Sequence, residues 1–106
     1  MGAARRGARG TRAVSYRVEL PPPARGRLPE PPKPSQRAIL EHLAALESDP
    51  RPVTTEELTG DQKGLRKLRV GRYRVVYEVT DEEGVVRVAT IGHRRMVHQE
   101  MRRLRR

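Results

Sequence analysis

The residues of this chain best placed to do chemistry are cations set at alternate positions in an apolar run. Lys67 and Arg69 alternate with Leu68 and Val70, and Arg74 falls between Tyr73 and Val75. Strand geometry sends successive side chains to opposite faces, so one face collects charge and the other collects Leu, Val and Tyr. Arg66 and Arg72 lie in the same stretch, and His93, Arg94, Arg95 and His98 close it. Guanidinium and ammonium groups gathered in this way suit phosphate contact and counterion release, which points to nucleic acid as the partner.

Charge distribution supports that direction. The net charge is +10 over 106 residues. Residues 1–12 contribute +4, residues 13–93 only +1 and residues 94–106 another +5. Clustered charge favours a polyanion. With Tyr16, Tyr73 and Tyr77 as the only aromatics, base-stacking platforms are poorly supplied, so phosphate contact is expected over base readout. Cysteine is absent, which excludes disulfides and thiolate metal sites. No apolar run is long enough to span a bilayer, and nothing reads as a signal peptide. A cytoplasmic location, no membrane association and no metal or other cofactor are the expectations.

Elements that position the cations follow from the pattern. Residues 65–70, 73–79 and 85–91 read as a three-stranded antiparallel meander, with Gly71-Arg72 as a two-residue turn and Asp81 to Gly84 as a second. Its core face comprises Leu68, Val70, Tyr73, Val75, Tyr77 and Val79. The opposite face carries Lys67, Arg69, Arg74 and Glu78, with Val76 as its one apolar member, and is expected to be open. A strand over 14–20 precedes it, giving four strands, mainly antiparallel. Residues 21–34 hold seven prolines, so a stiff connector with at most one helical turn is expected. Ser35 is a candidate N-cap for a helix over 35–47 whose apolar face is Ile39, Leu40, Leu43 and Leu46. Thr54 and Glu57 have capping-box spacing for a short turn. Residues 95–104 are expected to form a basic C-terminal helix. The whole is an α+β domain over 13–106, preceded by a disordered basic extension over 1–12.

The string LRKLRVGRYRVVYEVTDEEGVVRVATIGHRRMVH resembles the C-terminal half of RelE/ParE-type toxins of type II toxin–antitoxin systems. That family carries approximately L-R-V-G-x-Y-R-V-x-Y, an acidic turn, a Val-rich strand, then G-H-R and a closing V-Y. YRVEL, QRAILEHLAALESDPRP and LTG also match in place, so the resemblance covers about residues 14–98. It implies a RelE-like fold, a cognate antitoxin as partner, and one of two activities. RelE-like members cut messenger RNA on the ribosome without a metal, and ParE-like members poison DNA gyrase.

Carried over residue by residue, the nuclease pattern implies catalytic roles for Lys67, Arg74 and Arg94. His98 replaces the family's closing tyrosine and is a candidate acid or base, since histidine transfers protons near neutral pH. Arg66, Arg69, Arg72, His93 and Arg95 are candidate phosphate contacts. Leu65 stands where the pattern has a second lysine, and the proline-rich segment replaces most of the first helix. The leading expectation is a ribosome-dependent messenger endonuclease that inhibits translation. A gyrase poison or an inactive relative acting by protein binding is the alternative, and a generic basic RNA- or ribosome-binding domain is a third reading.

Overall fold

The computed structural model describes residues 15–60 and 64–104, without the side chains of residues 98, 100 and 102–104. The expected disorder of residues 1–12 and any strand character at Val14 lie outside the described residues, as does the loop at 61–63.

The meander forms as its alternation demands. Strands β3 (Leu65–Val70), β4 (Tyr73–Thr80) and β5 (Val85–His93) pair antiparallel in sequence order. Gly71 closes the first turn with φ 59, a left-handed conformation that a two-residue hairpin connection requires and glycine adopts without strain. Two more strands extend the sheet. Strand β1 (Arg17–Glu19) pairs parallel to β5, and β2 (Glu56–Glu57) pairs antiparallel to β3, giving the order β1-β5-β4-β3-β2. The sheet is therefore five-stranded and mixed rather than four-stranded. Within 54–60, where a short turn was expected, Glu56 and Glu57 form this edge strand because they find backbone partners across from Lys67 and Arg66.

A β-bulge interrupts the β4–β5 ladder. Val76 faces Thr90 and Tyr77 faces Val88, so Ala89 is skipped. The extra residue lets Val88 and Ile91, which differ in parity, both enter the core. It also sets the final register, in which Arg74 faces Gly92 and Tyr73 faces His93.

Helix α1 (Pro22–Arg25) is one short turn, placed two residues ahead of the 24–28 span to which a turn was expected to be confined. Proline in a first turn gives up only an N–H that would lack a partner there anyway. The same logic moves the start of α2 (Lys33–Ala45) ahead of expectation. Pro32 rather than Ser35 is its N-cap, with no side-chain capping bond. Gln36 Nε2 instead donates to the Pro29 and Pro31 carbonyls, at 2.9 and 2.7 Å, and ties the connector to the helix. Ile39, Leu43 and Leu46 are buried, while Leu40 turns outward and is 47% exposed.

The main core lies between α1 and α2 and one face of the sheet. It contains Ile39, Leu43 and Leu46 with Leu68, Val70, Val75, Tyr77, Val86, Val88 and Ile91, and Tyr73 and Val79 pack at its margin. Tyr77 is completely buried, and its hydroxyl donates to the Pro50 carbonyl at 2.8 Å. The other face is not open throughout, as its alternating charges suggested. Helix α3 (Arg94–Leu104) lies across it, burying Val76 with Val97 and Met101 in a second small cluster flanked by Leu58 and Leu65. One apolar residue among the cations was enough to seat an amphipathic helix.

A polar clamp joins distant segments at the far end of the sheet. Arg51 donates twice to the Asp81 carboxylate, at 3.1 and 2.8 Å, and the Tyr16 hydroxyl donates to the same group at 2.7 Å. Asp81 is held below its ordinary carboxylate value, first by the Arg51 bonds and then by Tyr16. The folded chain thus binds that proton less readily than the unfolded chain, so the contribution is complete above the ordinary aspartate range and fades as pH falls through the lowered value. Asp81→Asn is expected to lower Tm at neutral pH, and the difference from the wild type to shrink as pH falls below the ordinary aspartate range. Thermal melts across that range check the sign.

Candidate functional site

Register brings the site together. Arg69 on β3 lies directly opposite Arg74 on β4, and Arg74 lies opposite Gly92 on β5. Two arginines across from each other repel, and such pairs cost stability in a sheet. Gly92 completes the row with no side chain. A Cβ there would meet Arg27 Nη1 and Val97 Cγ2, each at 3.4 Å, so the first turn of α3 and the connector after α1 close tightly over this position. Strand β5 runs straight into α3, which delivers Arg94 and Arg95 beside the row, and the Arg94 amide donates to the Arg72 carbonyl at 3.0 Å.

These residues line a pocket of about 530 Å³ formed by Arg69, Gly71, Arg72, Arg74, His93, Arg94 and Arg95. Arg74 is its floor. Only 8% of the residue is exposed, and Nη1 donates to the Gly71 and Tyr73 carbonyls at 3.1 and 3.0 Å. Burial lowers its pKa, and Arg69 and Arg94 lower it further. The guanidinium stays charged, so it is a cation held in partial desolvation among like charges. An anion entering the pocket relieves both penalties at once. His93 is half-buried and meets Tyr73 edge to face, with ring centres 5.9 Å apart.

The ion pairing elsewhere gives the contrast. Arg17 and Arg87 are paired with Glu19, Arg51 with Asp81, Arg66 with Glu57 and Lys67 with Glu56. Among the described residues, none of Arg69, Arg72, Arg74, Arg94 and Arg95 has a carboxylate partner. Five arginines without a carboxylate partner among the described residues thus line one pocket.

Of the residues picked out from the sequence, the structure brings Arg69, Arg72, Arg74, His93, Arg94 and Arg95 to one pocket. Lys67 and Arg66 are not in its lining. Lys67 shares the Arg69 face but faces Val76 on one side and Glu56 on the other. Arg66 has the opposite parity, and its Nε donates to Thr55 Oγ1 at 3.1 Å. His98 belongs to α3, and its side chain lies outside the described residues. Sequence reasoning missed Glu56 and Glu57, although two adjacent acids a short loop before a basic strand were the available signal. Among the described residues, no group of three or more His, Asp or Glu side chains is arranged to hold a metal, and no helix is long and apolar enough to cross a membrane.

A mixed sheet with this order, a helix-covered core and an arginine pocket where β5 meets α3 define a small toxin-like α+β domain. Residues 28–98 match the family described as the ParE toxin of type II toxin–antitoxin systems, parDE, and the chain belongs to that family. It is a toxin of the type II kind with a RelE-like fold. The RelBE2 toxin–antitoxin complex of Mycobacterium tuberculosis contains a similar chain, with 27% identity, TM-score 0.69 and coverage of 76% of this chain and 99% of that one. The RelE–RelB complex of the archaeon Pyrococcus horikoshii contains another, at 31% identity, TM-score 0.64 and coverage of 76% and 97%. A YoeB/ParE toxin from Agrobacterium tumefaciens shares the fold at 15% identity, TM-score 0.66 and coverage of 74% and 98%. No curated protein sequence matches the chain.

Proposed function

We propose that this chain is a ribosome-dependent, metal-independent messenger RNA endonuclease of the RelE kind, acting in the cytoplasm and held in check by a cognate antitoxin. The observation that carries the reading is the set of arginines without carboxylate partners around one pocket, with Arg74 desolvated at its floor. The RelE–RelB complexes of similar chains support the antitoxin.

The chemistry follows from charge. A ribose 2′-oxygen attacks the adjacent phosphorus, the bond from phosphorus to the 5′-oxygen breaks, and the products are a 2′,3′-cyclic phosphate and a 5′-hydroxyl. Negative charge grows on the phosphoryl oxygens at the crowded centre. Arg74, held by its two carbonyl bonds before the substrate arrives, stabilises that charge without reorganising, and Arg94 adds its charge from the start of α3. Arg69, Arg72 and Arg95 hold the flanking phosphates. The proton leaving the 2′-hydroxyl and the proton reaching the 5′-oxygen need groups that titrate near neutrality. His93 borders the pocket, and His98 follows four residues after Arg94 in α3. Lys67 lies outside the pocket lining, with its Nζ 3.9 Å from Glu56 Oε1.

Expression is expected to arrest growth, and primer extension on messages from a translating extract is expected to show cuts within translated codons. Intact messages in that extract, with folded toxin present, overturn the reading. The match to the ParE family favours gyrase as the second target, and inhibition of supercoiling by purified toxin with messages intact would establish it instead.

A further inference from the structure

Lys67 and Arg69 occupy consecutive positions on one face of β3, a step of about 6.5–7 Å along the strand. That step is comparable to the spacing of successive phosphates in an extended strand of RNA. The two cations nevertheless have different surroundings. Arg69 lines the pocket and has no acidic partner among the described residues. Lys67 lies directly across from Glu56, with Nζ 3.9 Å from Oε1. Both side chains are accessible, 36% exposed for Lys67 and 73% for Glu56, so a phosphate could reach Lys67 from solvent if the carboxylate were gone.

The segment that presents Glu56 is held at several points. Tyr77 binds the Pro50 carbonyl, Arg51 binds Asp81, and Thr55 donates to the Pro52 carbonyl through both its amide and its hydroxyl, at 2.9 and 2.7 Å. Arg66 grips the Thr55 hydroxyl, and the Leu58 amide donates to the Leu65 carbonyl at 2.8 Å. An exposed ion pair of this length contributes little to stability. These anchors fix the backbone that presents Glu56 opposite Lys67, whatever the strength of the pair itself.

We propose that Glu56 is an electrostatic shield: it occupies Lys67 and repels phosphate along β3, so that RNA is held only at the end of the sheet built by Arg69, Arg74 and Arg94. The inference rests on reading that end as a phosphate site. A phosphate that took Lys67 would leave Glu56 unpaired beside it, and the repulsion offsets the gain. Selection for one place on the substrate then comes from what the neighbouring cation is prevented from doing.

The test is the salt dependence of binding to a 2′-O-methyl oligoribonucleotide, which cannot be cut. With Glu56→Gln, affinity is expected to rise about fivefold near 0.1 M salt, and the slope of log K against log salt to steepen by about 0.7, the value for one added phosphate contact on a single strand. Lys67→Met in the wild-type background is expected to change neither quantity, and in the Glu56→Gln background to remove the gain. An unchanged slope in Glu56→Gln, or a gain that survives Lys67→Met, overturns the shield. Loss of cleavage in Glu56→Gln with an unchanged slope overturns it too, because the carboxylate then takes part in the chemistry. The underlying phosphate reading has its own control: Arg74→Ala must weaken binding and flatten the slope. If it does not, that reading fails whatever Glu56 does. Circular dichroism melts confirm folding of each variant.

Discussion

Arg74→Ala is expected to reduce message cleavage by about two to three orders of magnitude and to leave Tm unchanged or raise it by a few degrees. The two halves of this expectation have one cause. Arg74 is nearly buried, faces Arg69 across the β3–β4 ladder and has Arg94 beside it. Desolvation and like-charge repulsion make the guanidinium costly in the free protein, and under the proposed function the same crowding would make it a strong ligand for a phosphoryl group that gains charge during reaction. Its two bonds go to the carbonyls of Gly71 in the turn and of Tyr73 at the start of β4, next to the open pocket. Arg74→Met keeps the apolar stem and should stabilise more than Ala does. Rates under single turnover, measured beside thermal melts, check both halves. A large fall in Tm would make Arg74 a structural residue and remove the reason for assigning it to the chemistry.

Tyr77→Ala is expected to cost about 3–5 kcal/mol from the lost packing alone. Tyr77 heads the fully buried side chains of a core that has no Phe or Trp. The variant also loses the bond to Pro50, which anchors the segment leading to β2. Domains of this size hold about 5–15 kcal/mol in total, so the variant should be largely unfolded at 37 °C, without activity and poorly accumulated. Tyr77→Phe separates packing from hydrogen bonding. It keeps the ring, leaves the Pro50 carbonyl without its donor, and should cost about 1 kcal/mol. Urea denaturation of the two variants gives the difference directly.

Much of the sheet was legible because its alternation is regular. Leu68, Val70, Val75 and Tyr77 entered the core as their parity required, and Gly71 made the expected turn. Three features were hidden for identifiable reasons. The pairing of Glu56 and Glu57 depends on backbone partners supplied by β3, while their side chains look like those of a loop. Ala89 gives no sign that it will be skipped, so the period of β5 changes parity between Val88 and Ile91 without notice. Ser35 was the better capping residue by type, yet Pro32 and Pro34 set a helical φ earlier in the chain and moved the start of α2.

The candidate site was legible by residue type and not by association. A row of cations on β3 appeared to be one surface, and register divides it. Arg69 joins Arg74 and Arg94, while Lys67 and Arg66 turn to Glu56 and Glu57. Cross-strand partners decided this, and they lie on a segment whose role in the sheet the local sequence did not announce. The burial of Arg74 was hidden for a related reason. Its depth comes from the turn, from Gly92 across the ladder and from α3 arriving beside it.

The measurement that bears most directly on the account is the chemistry of the cut ends after purified toxin acts on a message bound to the ribosome. Arginine-stabilised attack by the 2′-hydroxyl predicts an upstream fragment ending in a 2′,3′-cyclic phosphate, a downstream fragment beginning with a 5′-hydroxyl, and no cleavage when the scissile nucleotide is 2′-deoxy. Fragments with 5′-phosphate ends, cleavage of the deoxy-substituted message, or an uncut message under conditions where the same toxin inhibits gyrase would contradict it.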